Sequence, residues 1–208
     1  MVPRALVRGA LSTGRDIVPS TPAFHAKVWD LETTDLTTFM GRLIVASFLD
    51  LALDTHVTRT IHDFGKTNTE KQADAAERKL LRWTVGQVEE ASVLIGHNTK
   101  SFDTHYLRGR LAGLGMKQRL PKRHHIDTYL VARYGFKGRP QGLSLENLAD
   151  FFHCGEQKDK PSKWEWAASR ALDPLAIRRL AKRCESDCRV NAMVWEHLEP
   201  YWHEWRGS

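Results

Sequence analysis

Three stretches of this chain carry acids in patterns that could hold a hard cation. The first is Trp29-Asp30-Leu31-Glu32, inside a run of β-forming residues. Side chains alternate along a strand, so Asp30 and Glu32 share one face while Leu31 points the other way, into the core. Two carboxylates that close repel each other unless a cation lies between them. Ligands made only of oxygen suit Mg2+ or Mn2+. The Asp-x-Glu pattern is common, and by itself it says little. The second stretch is Gly96-His97-Asn98-Thr99-Lys100-Ser101-Phe102-Asp103, where a strand gives way to a polar turn and then a helix. Asp103 falls in the first helical turn, where the dipole favours its charge; that is also an ordinary place for an acid with no other task. The third is Asp187 in Cys184-Glu185-Ser186-Asp187-Cys188, just after Lys182-Arg183. A surface ion pair at helical spacing would also account for it.

The elements that must position these acids follow from the pattern of apolar residues. Residues 26–31 (AKVWDL), 42–51 (RLIVASFLDL) and 55–64 (THVTRTIHDF) read as three strands with short connections, an antiparallel meander. Residues 70–91 switch to helical spacing, with Leu80, Leu81, Val85 and Val88 on one face. A short buried strand at 92–96 and a helix at 101–114, with Ser101 as its N-cap, follow. Another strand ends at 125–126. Asp127, a fifth acid, is better suited to capping the helix that follows than to binding metal. Residues 144–152 form a helix opened by Ser144, and 155–163 form a polar loop. Asp173-Pro174 opens a final helix that runs past Asp187 to about residue 198. Antiparallel strands followed by α/β units make an α/β fold: a mixed sheet, its first three strands antiparallel and its later ones parallel, flanked by helices.

Composition narrows the classes. With 208 residues, 41% of them hydrophobic, the chain is the size of one domain with a real core. No apolar run approaches the length of a membrane span. Residues 1–25 carry Arg4, Arg8 and Arg15 and read as a basic arm; residues 26–208 read as the single domain. The three cysteines, Cys154, Cys184 and Cys188, are too few for a disulfide framework and indicate a reducing, intracellular setting. With His153 they could form a zinc site, but no metal-ligand spacing supports it, and structural thiols fit better. The net charge is +6. It gathers in the acid-free segment 117–125 and in Arg178, Arg179, Lys182 and Arg183, groups that either bind phosphates or form a solvated surface.

The order of the three acidic stretches, with Asn98-x-x-x-Phe102-Asp103 in the middle, resembles the DEDD superfamily of 3′–5′ exonucleases, which have a ribonuclease H-like fold. It is most similar to the proofreading-type branch found in family B DNA polymerases and their stand-alone relatives. LIGHNTKSFDTHYLRGRL, GLSLENLADFFHCG and RCESDCRVNAMVWEHL carry the likeness, which extends over residues 26–198. The resemblance implies that Asp30, Glu32, Asp103 and Asp187 bind two Mg2+ or Mn2+ ions, roughly 3.5–4 Å apart. One ion would activate a water and the other would stabilise the leaving 3′-oxygen. It also implies that Asn98 contacts the terminal nucleotide, and Phe102 is read as a packing residue. The implied substrate is nucleic acid with a free 3′ end, single-stranded and DNA in preference to RNA. Replication or repair proteins are implied partners.

The third stretch departs from this family. Members carry a water-positioning Tyr four residues before the last Asp, or a His five residues before it; here those places hold Arg183 and Lys182. A guanidinium cannot take up a proton, so Arg183 is assigned to phosphate attraction. Lys160 or Lys163 could reach the substrate or the water, although a solvated lysine explains each as well. Two other functions compete. One is a ribonuclease H-like endonuclease. The other is a weakly active subunit that grips 3′ ends within a replication or repair complex, which the missing Tyr or His favours.

Overall fold

The structure, a computed structural model, describes residues 25–136, 142–155 and 161–206, with side chains as far as 202. Of the expected basic arm over residues 1–25, only His25 falls within these. Five strands form one sheet in the order β3-β2-β1-β4-β5. Strands β1 (Ala26–Thr33), β2 (Leu43–Asp50) and β3 (Thr55–Thr60) are antiparallel neighbours. Strand β4 (Val93–Gly96) lies parallel to β1, and β5 (His124–Asp127) parallel to β4. The mixed sheet expected from the sequence is therefore present, with β1 at its centre.

Helices cover both faces. Helix α1 (Glu70–Glu90) and α2 (Asp103–Gly113) bury Leu80, Leu81, Val85, Leu107 and Leu111 against Trp29, Leu31 and Phe48. On the opposite face lie α3 (Thr128–Gly135), α4 (Leu145–Phe151) and the long α6 (Pro174–Arg206). Their Val131, Leu148, Val194 and Leu198 pack with Val28 and Ile95. Thr69, Asp127 and Ser144 cap α1, α3 and α4 through side-chain oxygens, as their residue types favour. Asp173 does the same for α6, accepting from the amides of Leu175 and Ala176.

Four local expectations need correcting. The third strand stops at Thr60: the Asp63 carboxylate accepts from the Thr60 amide at 2.6 Å and from its hydroxyl at 3.1 Å, turning Ile61–Phe64 into a 3₁₀ helix. Ser101 does not cap α2, which starts at Asp103 after Phe102; the amides of Ser101 and Phe102 instead bond back to the Asn98 carbonyl. Helix α6 continues past residue 198 and through Pro200. A further helix, α5 (Lys163–Arg170), follows the polar segment and packs on α6. Its capping box was readable: Ser162 Oγ accepts from the Glu165 amide, and the Glu165 carboxylate accepts from the Ser162 amide.

Candidate metal centre

The site is built around β1. Its alternation puts Val28, Asp30 and Glu32 on the side of α6, while Trp29 and Leu31 are buried on the α1 side. Helix α6 crosses behind the strand and anchors there through its thiols: Cys184 Sγ donates to the Asp30 carbonyl at 3.3 Å and Cys188 Sγ to the Ser47 carbonyl at 3.6 Å. Burial pushes both thiols well up from their usual range, with the Asp30 charge adding to it. They are free cysteines, and among the described residues no group of metal-ligating side chains includes them. One turn along α6 from Arg183, Asp187 is delivered to the strand. Carboxylate oxygens of Asp30, Glu32 and Asp187 lie within 4.8 Å of one another.

Asp103 comes from the first turn of α2. Its placement depends on the turn after β4. Gly96 has no room for a side chain, since a Cβ there would strike Thr99. Asn98 adopts a left-handed conformation with φ of 61°, which Asn tolerates better than most residues. Asp127 then pins the turn. It accepts from the amides of Asn98 (2.9 Å) and Lys100 (3.0 Å) while also capping α3 through Tyr129 and Leu130. The capping role was expected; the second task, holding the turn that presents Asp103, was not. His125 adds a further tie. Its Nε2 lies 2.6 Å from Thr99 Oγ1 and 3.3 Å from Trp29 Nε1, and burial lowers its pKa to about 4, so the ring is a neutral acceptor.

The acids are close enough to feel one another. Burial raises Asp103 well above the usual carboxylate range, and the charges of Asp30 and Glu32 raise it further. All of Glu32, Asp103 and Asp187 are buried. Such a set of oxygens, mutually repulsive and withdrawn from water, fits a divalent cation. A cation is already close by. Arg183 Nε lies 3.0 Å from Glu32 Oε1, and its Nη2 lies 3.7 Å from Asp187 Oδ2. Its guanidinium carbon sits 5.9 Å from the centre of the Trp166 ring on α5.

Of the residues singled out in the sequence, the fold brings Asp30, Glu32, Asp187 and Arg183 together; Asp103 stands outside the 4.8 Å group and meets it through the charges of Asp30 and Glu32. Asn98 is exposed, and its backbone serves the turn. Phe102 packs on Tyr106, ring centroids 5.5 Å apart. Lys163 is an exposed residue at the start of α5, and Lys160 lies outside the described residues. Trp166 went unnoticed in the sequence because its helix did; the Ser162–Glu165 capping signal would have revealed it.

Residues 28–198 match a family described as RNase_H superfamily. No curated protein matches the sequence. Among solved structures, the family B DNA polymerase from the hyperthermophilic archaeon Pyrobaculum calidifontis is similar, with a TM-score of 0.63 and 18% identity over 86% of this chain. The chain spans only 25% of that polymerase, and the likeness is one of fold. Because the family match runs from within β1 to the far part of α6, taking in all four acids, the chain belongs to the RNase H superfamily.

Proposed function

We propose that this protein is a divalent-metal-dependent 3′–5′ exonuclease of the DEDD class. Its substrate is nucleic acid with a free 3′ end, single-stranded DNA in preference to RNA, and residues 26–208 act as one catalytic domain. The observation that carries this reading is the convergence of Asp30, Glu32 and Asp187 from both ends of the chain, with Asp103 feeling the charges of Asp30 and Glu32. Membership of the RNase H superfamily supports a nuclease, and the polymerase-like fold favours DNA.

Asp30, Glu32, Asp103 and Asp187 would hold the metal, and four carboxylates supply enough oxygen ligands for two Mg2+ or Mn2+ ions. Divalent ions held there would make water a stronger nucleophile and stabilise the charge that develops on the leaving 3′-oxygen. Arg183 binds and orients the scissile or neighbouring phosphate, a task its planar fork suits. It takes no proton, because a guanidinium has no lone pair to offer near neutral pH. Asp127 keeps the turn before α2 in place, and through it the position of Asp103.

The test uses 5′-labelled single- and double-stranded DNA and RNA with Mg2+, Mn2+ or EDTA, together with a covalently closed circle. Stepwise shortening from the 3′ end that needs the metal and spares the circle is expected. Cutting of the circle would assign an endonuclease instead. Tight 3′-end binding with no product would point to a binding subunit, the reading that the arginine in place of Tyr or His favours.

A further inference from the structure

The geometry points to Arg183 as an exchangeable counter-cation: in the free protein its guanidinium closes over Glu32 and Asp187, and it surrenders these carboxylates to a divalent ion, the more readily when a substrate phosphate draws it away. This rests on the metal-site reading above. Arg183 Nε is 3.0 Å from Glu32 Oε1 and Nη2 is 3.7 Å from Asp187 Oδ2, so one side chain touches two of the three acids that converge. A divalent ion would need the same oxygens at roughly 2.0–2.6 Å. A guanidinium bonded to Glu32 at 3.0 Å and paired with Asp187 at 3.7 Å competes for the same oxygens, and the two cations repel each other at that range.

The guanidinium also has a surface on which it can turn. Its far side rests over Trp166, 5.9 Å from the ring centre, on a helix separate from the acids. A flat cation over an aromatic face can turn or slide while keeping that contact. A phosphodiester offers two non-bridging oxygens that can accept the paired N–H groups of a guanidinium, as a carboxylate does. Substrate entry therefore supplies Arg183 with a new acceptor just as Glu32 and Asp187 become free. Metal and substrate should each strengthen the binding of the other, by the reciprocity of linked equilibria.

The test measures Mn2+ binding by calorimetry on the full chain, without nucleic acid, for wild type, Arg183→Gln and Arg183→Lys. Arg183→Gln should bind Mn2+ at least tenfold more tightly than wild type, and Arg183→Lys, which keeps the charge but loses the fork, should fall between them. In EDTA, Arg183→Gln should melt below wild type, and Mn2+ should remove or reverse the difference. In wild type, the Arg183 Nε–H resonance, assigned by its loss in the lysine variant, should move when Mg2+ is added. Equal Mn2+ affinity in wild type and Arg183→Gln, or a stationary resonance under saturating Mg2+, overturns the exchange but leaves the nuclease reading intact. No Mn2+ binding in any of the three overturns both. If Arg183→Gln does not fold, a lysine variant that binds Mn2+ no better than wild type is enough to reject the exchange.

Discussion

At the scale of single residues, the site is a balance among buried charges. Asp30 belongs to the converging set with Glu32 and Asp187. Asp30→Ala should abolish Mn2+ binding and cleavage while leaving the circular dichroism spectrum unchanged; a variant that still cleaves at the wild-type rate would end the metal-site reading. Asp103 makes a second, pH-dependent case. Its folded pKa lies well above the ordinary 3.8 because of burial and then the neighbouring Asp30 charge. The native state thus keeps a proton that the unfolded chain releases, and stability falls as pH rises from 3.8 towards the folded value. Asparagine imitates the protonated acid. In EDTA, Asp103→Asn should melt above wild type near neutral pH, with the gap closing as the pH approaches 3.8. Thermal melts across that range decide the point, and a gap independent of pH would show that the carboxyl's charge is not what costs stability.

Among elements, the tie between α1, α2 and the start of β2 runs through one fully buried acid. Glu77 accepts from the Leu43 amide at 2.9 Å, from Arg110 Nε at 2.7 Å and Nη2 at 2.6 Å, and from Arg42 Nη1 at 3.2 Å. Removing one partner of a buried pair leaves charge uncompensated, so Glu77→Ala should destabilise by about 3–5 kcal/mol. Urea unfolding measures it, and a loss under 1 kcal/mol would mean that water replaces the carboxylate. Strand and helix patterning in the sequence was enough to find β1 and the side on which Asp30 and Glu32 lie, because alternation is a local property. Asp127 was legible as a cap for the same reason. Its hold on Asn98 and Lys100 was not, since those amides arrive from another part of the chain. Nor was the reach of Arg183 to Glu32, 151 residues away. The 3₁₀ turn at Ile61 and helix α5 were missed for a different reason: Asp63 and Glu165 carry local capping signals that apolar periodicity does not register.

At the scale of the whole molecule, one group of basic residues lies apart from the acidic centre that Arg183 enters. Arg108, Lys117, Arg119 and Lys122 line a depression of about 900 Å³ together with Leu111, Met116 and Leu120, at the C-terminal half of α2, which begins at Asp103. If nucleic acid runs along α2, replacing Lys117, Arg119 and Lys122 with Ala should reduce the slope of log affinity against log salt by about 2, at roughly 0.7 per phosphate for a single strand. Fluorescence anisotropy with a labelled oligonucleotide across a salt series measures it, and an unchanged slope would place the strand elsewhere. The crossing of α6 behind β1 has a consequence in time. Glu32 lies near the beginning of the chain and Arg183 near its end, joined only across 151 residues. Closing so long a loop is slow compared with forming a hairpin, so the acidic centre should be absent from early folding intermediates. A half-made chain would then carry no working nuclease. In stopped-flow refolding, protection by Mn2+ against a chelator chase should appear with the last folding phase, and protection in the first phase would show that the pocket closes before its final helix docks.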